Sequence, residues 1–292
     1  MATEKNELRA ATATQRANYS LSMRVRSDVF LFINVITWIH SRLSDASGYS
    51  PASRNAVAHD DGAADETPVA ETTIDELGNR LETLRSFDKP LVVAAYVPAE
   101  DEPGAALKLE VIDRIIANKG AAKAVPERGQ QAASDRDEHH ASVPDHLRSA
   151  FIEALDAFLP EGSTILLPQC PPGPAAPLHW AQYEGVGSLR VGRYGLLEPI
   201  GQNLGAEAAN SADLVLVPGL AGDRHGNRLG RGEGYFDRSM EIFTSEVADR
   251  IVPTRTALLL FPDELYDAIA VEEHDLPVDT IITSKEILEI PA

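Results

Sequence analysis

Five short apolar runs in the second half of the chain, "STILLP", "SLRVG", "DLVLVPG", "TALLLF" and "DTIIT", most constrain the fold. Each has strand length, and helical spacing lies between several of them. Continuous apolar runs of this kind mark strands covered on both faces, and their alternation with helices selects a mostly parallel sheet. "LVVAAYV" at 91–97 adds a further strand of the same type. The expected fold class is α/β, a three-layer α/β/α arrangement with residues 214–217 as its central strand. No internal repeat is visible.

Helical patterns surround these runs. "PDHLRSAFIEALDAFL" from Pro144 places Leu147, Phe151, Leu155 and Phe158 on one face. Helices are also expected at about 105–118 and 236–250, and a polar, Ala-rich one at 5–16. In "MRVRSDVFLFINVITWIH" the apolar part, 29–39, has about half of the ~20 residues that a membrane span needs. It starts late for a signal peptide, contains Asn34 and Thr37, and has no small-x-small cleavage site behind it. It reads as a helix packed on the domain or on a partner. Residues 44–73 and 120–143 are small, polar and poor in large apolar side chains. They cannot bury enough surface to offset their ordering entropy, and read as disordered inserts in one domain, 1–292. Ile74, Leu77, Leu81 and Leu84 show helical spacing after the first insert.

Charge excludes whole classes of partner. With 45 acidic and 26 basic residues the chain carries −19. Duplex nucleic acid and anionic membranes both demand a positive footprint, so neither is expected. Any anionic ligand must instead be met by a local cluster of Arg and Lys. Cys170 is the only cysteine, which rules out an intramolecular disulfide and a Cys-based zinc site and fits a cytoplasmic location. The His139-His140 pair reads as surface. Neither a Ser/His/Asp nor a Cys/His arrangement stands out.

Such a cluster follows the central strand. "DRHGNRLGRGEGYFDR" (223–238) holds four glycines, four arginines and three carboxylates in sixteen residues. Ligands of open α/β sheets gather at the carboxyl ends of strands. Glycine lets backbone N–H groups turn towards an anion, and a helix beginning near Tyr235 adds its positive end. Arg228 and Arg231 supply forked donors, and Asp237 stands where a carboxylate can hold Mg²⁺ against the same phosphates. Neither the Walker spacing nor the Rossmann spacing of glycines is present.

"LVLVPGLAGDRHGNRLGRGEGYFDR" as a whole resembles the signature of the 5-formyltetrahydrofolate cyclo-ligase family. "KNELR", "VAAYVPAEDEPG", "YGLLEP" and "EEHDLPVDTIIT" resemble further family segments and fall in the family's order. The likeness covers about 5–16, 84–119 and 162–283, whereas 23–39 matches poorly. It implies ATP- and Mg²⁺-dependent cyclisation of 5-formyltetrahydrofolate to 5,10-methenyltetrahydrofolate, on a fold of the ribose-phosphate isomerase/CoA-transferase-like group.

By matching positions, the resemblance implies that Lys5, Arg9, Arg228, Leu229, Gly230, Arg231, Gly232, Glu233, Gly234, Tyr235 and Phe236 meet ATP. It implies folate contacts for Val97, Glu102, Arg231, Gly232, Gly234 and Tyr235, with Arg231 and Tyr235 at the reacting formyl group. Asp237 and Asp275 match magnesium positions. Lys5 and Arg9 lie one helical turn apart and can share a face. The expected partners are folate and ATP alone, with no obligate protein partner. Two other readings remain open: a non-catalytic folate- or nucleotide-binding regulator, and a sugar-phosphate isomerase or CoA-transferase-type enzyme.

Overall fold

The computed structural model describes residues 2–46, 89–110, 143–243, 254–272 and 275–291. The pattern at 74–84, His139-His140, and the expected inserts except residues 44–46 and 143 lie outside them. So does most of the helix expected after Ala105, of which only Leu109 and Glu110 are described and helical.

Five parallel strands form the centre of a seven-stranded sheet: β1 (Val92–Ala94), β2 (Thr164–Gln169), β6 (Leu214–Pro218), β9 (Arg255–Leu259) and β11 (Thr280–Ile282). Antiparallel edges are added by β3 (His179–Gln182) and β12 (Ile287–Glu289), in the order β12-β11-β9-β6-β1-β2-β3. The 214–217 run is the middle strand, as its continuous apolarity predicts. The "SLRVG" run departs from expectation. As β4 (Leu189–Val191) it pairs only with β5 (Leu197–Pro199), in a two-stranded ribbon outside the main sheet.

Alternate residues of the parallel strands enter two cores. Val93, Ile165, Leu167, Leu214, Leu216, Ala257 and Leu259 face one side. Ala94, Leu166, Val215, Val217 and Leu258 face the other. Helices α2 (Leu21–Ala46) and α3 (Ala150–Phe158) cover the first side, and α4 (Tyr235–Phe243) covers the second with Met240 and Phe243. The expected three layers are present in this mixed α/β fold.

The 29–39 run is the buried face of α2, so this helix packs on its own domain. Asn34 donates to the Thr283 carbonyl at 2.9 Å, and the Trp38 indole donates to Thr280 at 3.1 Å, pinning α2 over β11. No described helix is long and apolar enough to cross a membrane. The helix expected from Pro144 begins only at Ala150. Residues 145–147 form a 3-10 turn, Arg148 is extended, and the Ser149 side chain accepts from the Ile152 N–H as the cap.

Helix α1 (Ala2–Asn18) is held on the domain largely by polar contacts. Arg16 forks onto Glu264 at 2.6 and 2.9 Å and donates to the Gly219 carbonyl at 2.8 Å, just past the end of β6. The Glu264 carboxylate is fully buried, and burial raises its pKa against the pull of Arg16. Two charged residues 248 positions apart thus bring the N-terminal helix to the carboxyl end of the central strand.

Candidate active site

The segment after β6 is two structures rather than one loop. Strands β7 (Ala221–Asp223) and β8 (Arg228–Leu229) form a hairpin, joined on its other side by β10 (Leu265–Tyr266). Asp223 organises it. Its buried carboxylate accepts from the N–H groups of His225 and Asn227, the Asn227 amide and the Ile269 N–H, between 2.9 and 3.1 Å. The part of the stretch outside the hairpin is therefore 230–234 and the first turn of α4, narrower than the glycine pattern suggests.

Arg9 reaches this stretch from α1, donating through Nε to the Gly230 carbonyl at 3.0 Å. Gly232 has φ +103, and a Cβ there would sit 3.4 Å from the Arg9 guanidinium carbon. Only glycine combines that backbone with the close approach of a cation. Gly234, at φ +75, leaves space that the Arg238 guanidinium fills, donating back to its carbonyl at 2.8 Å. Glu233 is exposed at the loop tip.

Arg231 is 46% exposed and crosses to the loop after β1, donating to Glu102 at 3.0 Å and Asp101 at 2.6 Å. Partial burial works against its charge, but these carboxylates outweigh it and raise its pKa. Glu102 is buried, with its second oxygen accepting from the Ala99 N–H at 2.9 Å, and Val97 is buried at the start of the same loop. The structure thus joins Glu102 to Arg231, two of the predicted folate contacts.

Lys5 stands between Asp275 at 2.7 Å and Glu272 at 3.0 Å. Burial would lower its pKa, yet hydrogen bonds to both carboxylates raise it. Arg228 pairs with Asp237, and its side chain is only 4% exposed. It holds Asp237 from beneath instead of reaching out as a phosphate clamp, as the sequence suggested. Leu229 is buried, with its carbonyl taken by the Leu220 N–H, and Phe236 packs into both cores, so these two support the loop.

Asp237 and Asp275 each hold a cation partner, and among the described residues no three His, Cys, Asp or Glu gather as a metal cluster. Oxygen-only donors contributed one or two at a time suit magnesium, which keeps waters and phosphate oxygens for the rest of its shell. The residues present fit that ion.

Two residues beside these were missed from sequence. Glu272 sits in the "EEHD" stretch but lacks a pattern of its own. Tyr194, with φ +61 and 55% exposure, lies 6.3 Å centroid to centroid from Tyr235 at 66°, with the Arg193 guanidinium 5.0 Å from its ring. A non-glycine residue in the left-handed region is a mark of a constrained site, but it is visible only in the backbone.

The chain is thus an α/β protein with a glycine loop bearing arginines at the end of its central strand, a helix start behind it and cations arriving from α1, an arrangement suited to an anion. The profile of the 5-formyltetrahydrofolate cyclo-ligase family matches residues 121–284. A 5-formyltetrahydrofolate cyclo-ligase of Mycolicibacterium smegmatis is 38% identical over 148 residues, 50% of this chain and 72% of that protein. One from Mus musculus is 38% identical over 77 residues, 26% of this chain and 36% of that protein. A solved 5,10-methenyltetrahydrofolate synthetase from Aquifex aeolicus is 19% identical, with a TM-score of 0.49 over 99% of this chain and 93% of that one. The chain belongs to the 5-formyltetrahydrofolate cyclo-ligase family.

Proposed function

We propose that this chain cyclises 5-formyltetrahydrofolate to 5,10-methenyltetrahydrofolate, using ATP with Mg²⁺ and releasing ADP and phosphate. Beside the family membership, one observation carries the reading. Arg231 leaves a glycine loop of phosphate-binding character and contacts Glu102, a buried carboxylate suited to the amino-pyrimidinone edge of a pterin. Folate and triphosphate meet there.

The formyl oxygen attacks the γ-phosphorus, forming one P–O bond as the bond to ADP breaks. The neighbouring N10 amine then adds to the activated carbon and loses its proton, and phosphate departs with the formyl oxygen. No protein nucleophile is needed; such a transfer rests on positioning and charge neutralisation. Arg231, Lys5 and Arg9 supply positive charge, while backbone N–H groups of 230–234 line the phosphates. The exposed Tyr194 ring, packed edge-on against Tyr235, offers an aromatic face to the substrate. Magnesium, when bound, supplies further neutralisation of the phosphates, with Asp237 and Asp275 as the carboxylates that hold it.

The fold reading extends to the ribose-phosphate isomerase/CoA-transferase-like group, supported by the parallel sheet with its ligand loop at the strand ends. A cytoplasmic location is supported by the single cysteine, and the −19 charge disfavours nucleic-acid and anionic-membrane partners.

The test is incubation with 5-formyltetrahydrofolate and Mg-ATP, following the near-ultraviolet absorbance of the methenyl product. Product should form only when ATP is present. Absence of both product and folate binding would overturn the reading.

A further inference from the structure

Asp28 lies outside the family match. Its side chain is fully buried in α2, and two backbone donors converge on it: the Gly104 N–H reaches Oδ1 at 2.8 Å and the Ala106 N–H reaches Oδ2 at 2.7 Å. Both belong to the turn at 101–106. Glu102 stands in that turn, its carbonyl accepting from the Ala105 N–H at 3.1 Å and its own N–H donating to Ala99 at 2.8 Å. The turn is clamped on its other side. Gly104, at φ +96, lies so close to Phe151 of α3 that a Cβ would be 2.9 Å from the ring. Phe32, one helical turn after Asp28, meets Phe151 edge-on at 5.7 Å.

We propose that Asp28 is a positioning residue for the folate side of the active site: its carboxylate holds the 101–106 turn so that Glu102 meets Arg231 and the substrate. The inference rests on the proposed function. A carboxylate is the side chain that accepts from both N–H groups at once; an amide of the same shape keeps one acceptor and turns a donor towards the other N–H. The group is also a costly one to bury. Burial pushes Asp28 up to about 7, against the two N–H bonds and the charge of Arg24. The groups facing it are Arg24 from its own helix and the buried Tyr96 hydroxyl from the segment after β1, while α3 meets the turn through the Phe151 ring.

The test compares steady-state constants of the full-length wild type, Asp28→Asn and a control, Asn34→Ala, which cuts the bond from α2 to Thr283 and leaves the turn alone. Asp28→Asn should raise the KM for 5-formyltetrahydrofolate about tenfold, as expected for loss of one charge-assisted hydrogen bond, with the KM for ATP within about twofold. Asn34→Ala should lower Tm without changing the ratio of the two KM values. An unchanged folate KM in Asp28→Asn, or an equal rise in both constants, overturns the inference. If Asp28→Asn does not fold, wild-type folate affinity measured against pH decides: it should strengthen as pH rises through about 7, and a flat profile overturns the inference. A wild type without cyclo-ligase activity is a failure of the proposed function and is seen before any variant is made.

Discussion

Arg231 Nε lies 3.0 Å from Glu102 Oε1, linking residues 129 positions apart. One partner follows the central strand and the other follows β1, its neighbour in the sheet. Parallel neighbours deliver their carboxyl-end loops to the same edge, which is why this pair forms. The pair defines the junction at which folate and nucleotide are proposed to meet.

Replacing Arg231 with alanine should reduce kcat at least about 100-fold, the scale expected when a positioned charge-stabilising donor is lost. Its side chain is half exposed, so the melting temperature should stay close to wild type. Activity near wild type would remove Arg231 from the reaction.

Asp237→Ala should also abolish turnover, but with a structural cost. Its partner Arg228 is nearly fully buried and would lose its counter-ion. Because Asp237 is itself a third exposed, the loss is moderated by solvent to about 1–3 kcal/mol. Denaturant unfolding checks this; an unchanged midpoint would show that Arg228 finds another acceptor.

Arg16→Ala leaves the fully buried Glu264 carboxylate without its forked partner. Breaking such a pair costs about 3–5 kcal/mol, read as a large fall in Tm. Lys5→Ala, by contrast, should act on the KM for ATP more than on stability. Equal effects of the two substitutions on both quantities would refute this division of roles along α1.

The pH dependence of stability follows from Asp28. Its folded pKa, about 7, lies above the ordinary 3.8, so the fold favours the protonated form. That contribution is complete below about pH 3.8 and is lost as pH rises to about 7. Thermal melts of wild type and Asp28→Asn should therefore shift in the variant's favour from pH 5 to pH 8. A gap independent of pH would contradict the buried titration.

Much of this was legible in sequence, for physical reasons. Continuous apolar runs reveal the strands buried on both faces, and the glycine-arginine cluster marks the loop at the carboxyl end of the central strand. Lys5 and Arg9 were legible through resemblance alone, since a charged pair on a polar helix has no signature of its own. The hairpin of β7 and β8 was not legible, because strands of two or three residues carry no periodicity. Without it, Arg228 reads as a solvent-facing clamp when it is a buried support for Asp237. Asp28 was hidden differently: it falls just before the apolar run 29–39 and reads with the polar residues ahead of it, and its partners are backbone N–H groups that no side-chain pattern announces.

The coupling of phosphoryl transfer to ring closure is the claim on which the account depends. Its most direct measurement is the amount of ADP and of methenyl product formed in one reaction of the wild-type protein with 5-formyltetrahydrofolate and Mg-ATP. Equal amounts are expected at all times. Methenyl product formed without ATP, or ADP released without ring closure, would contradict it.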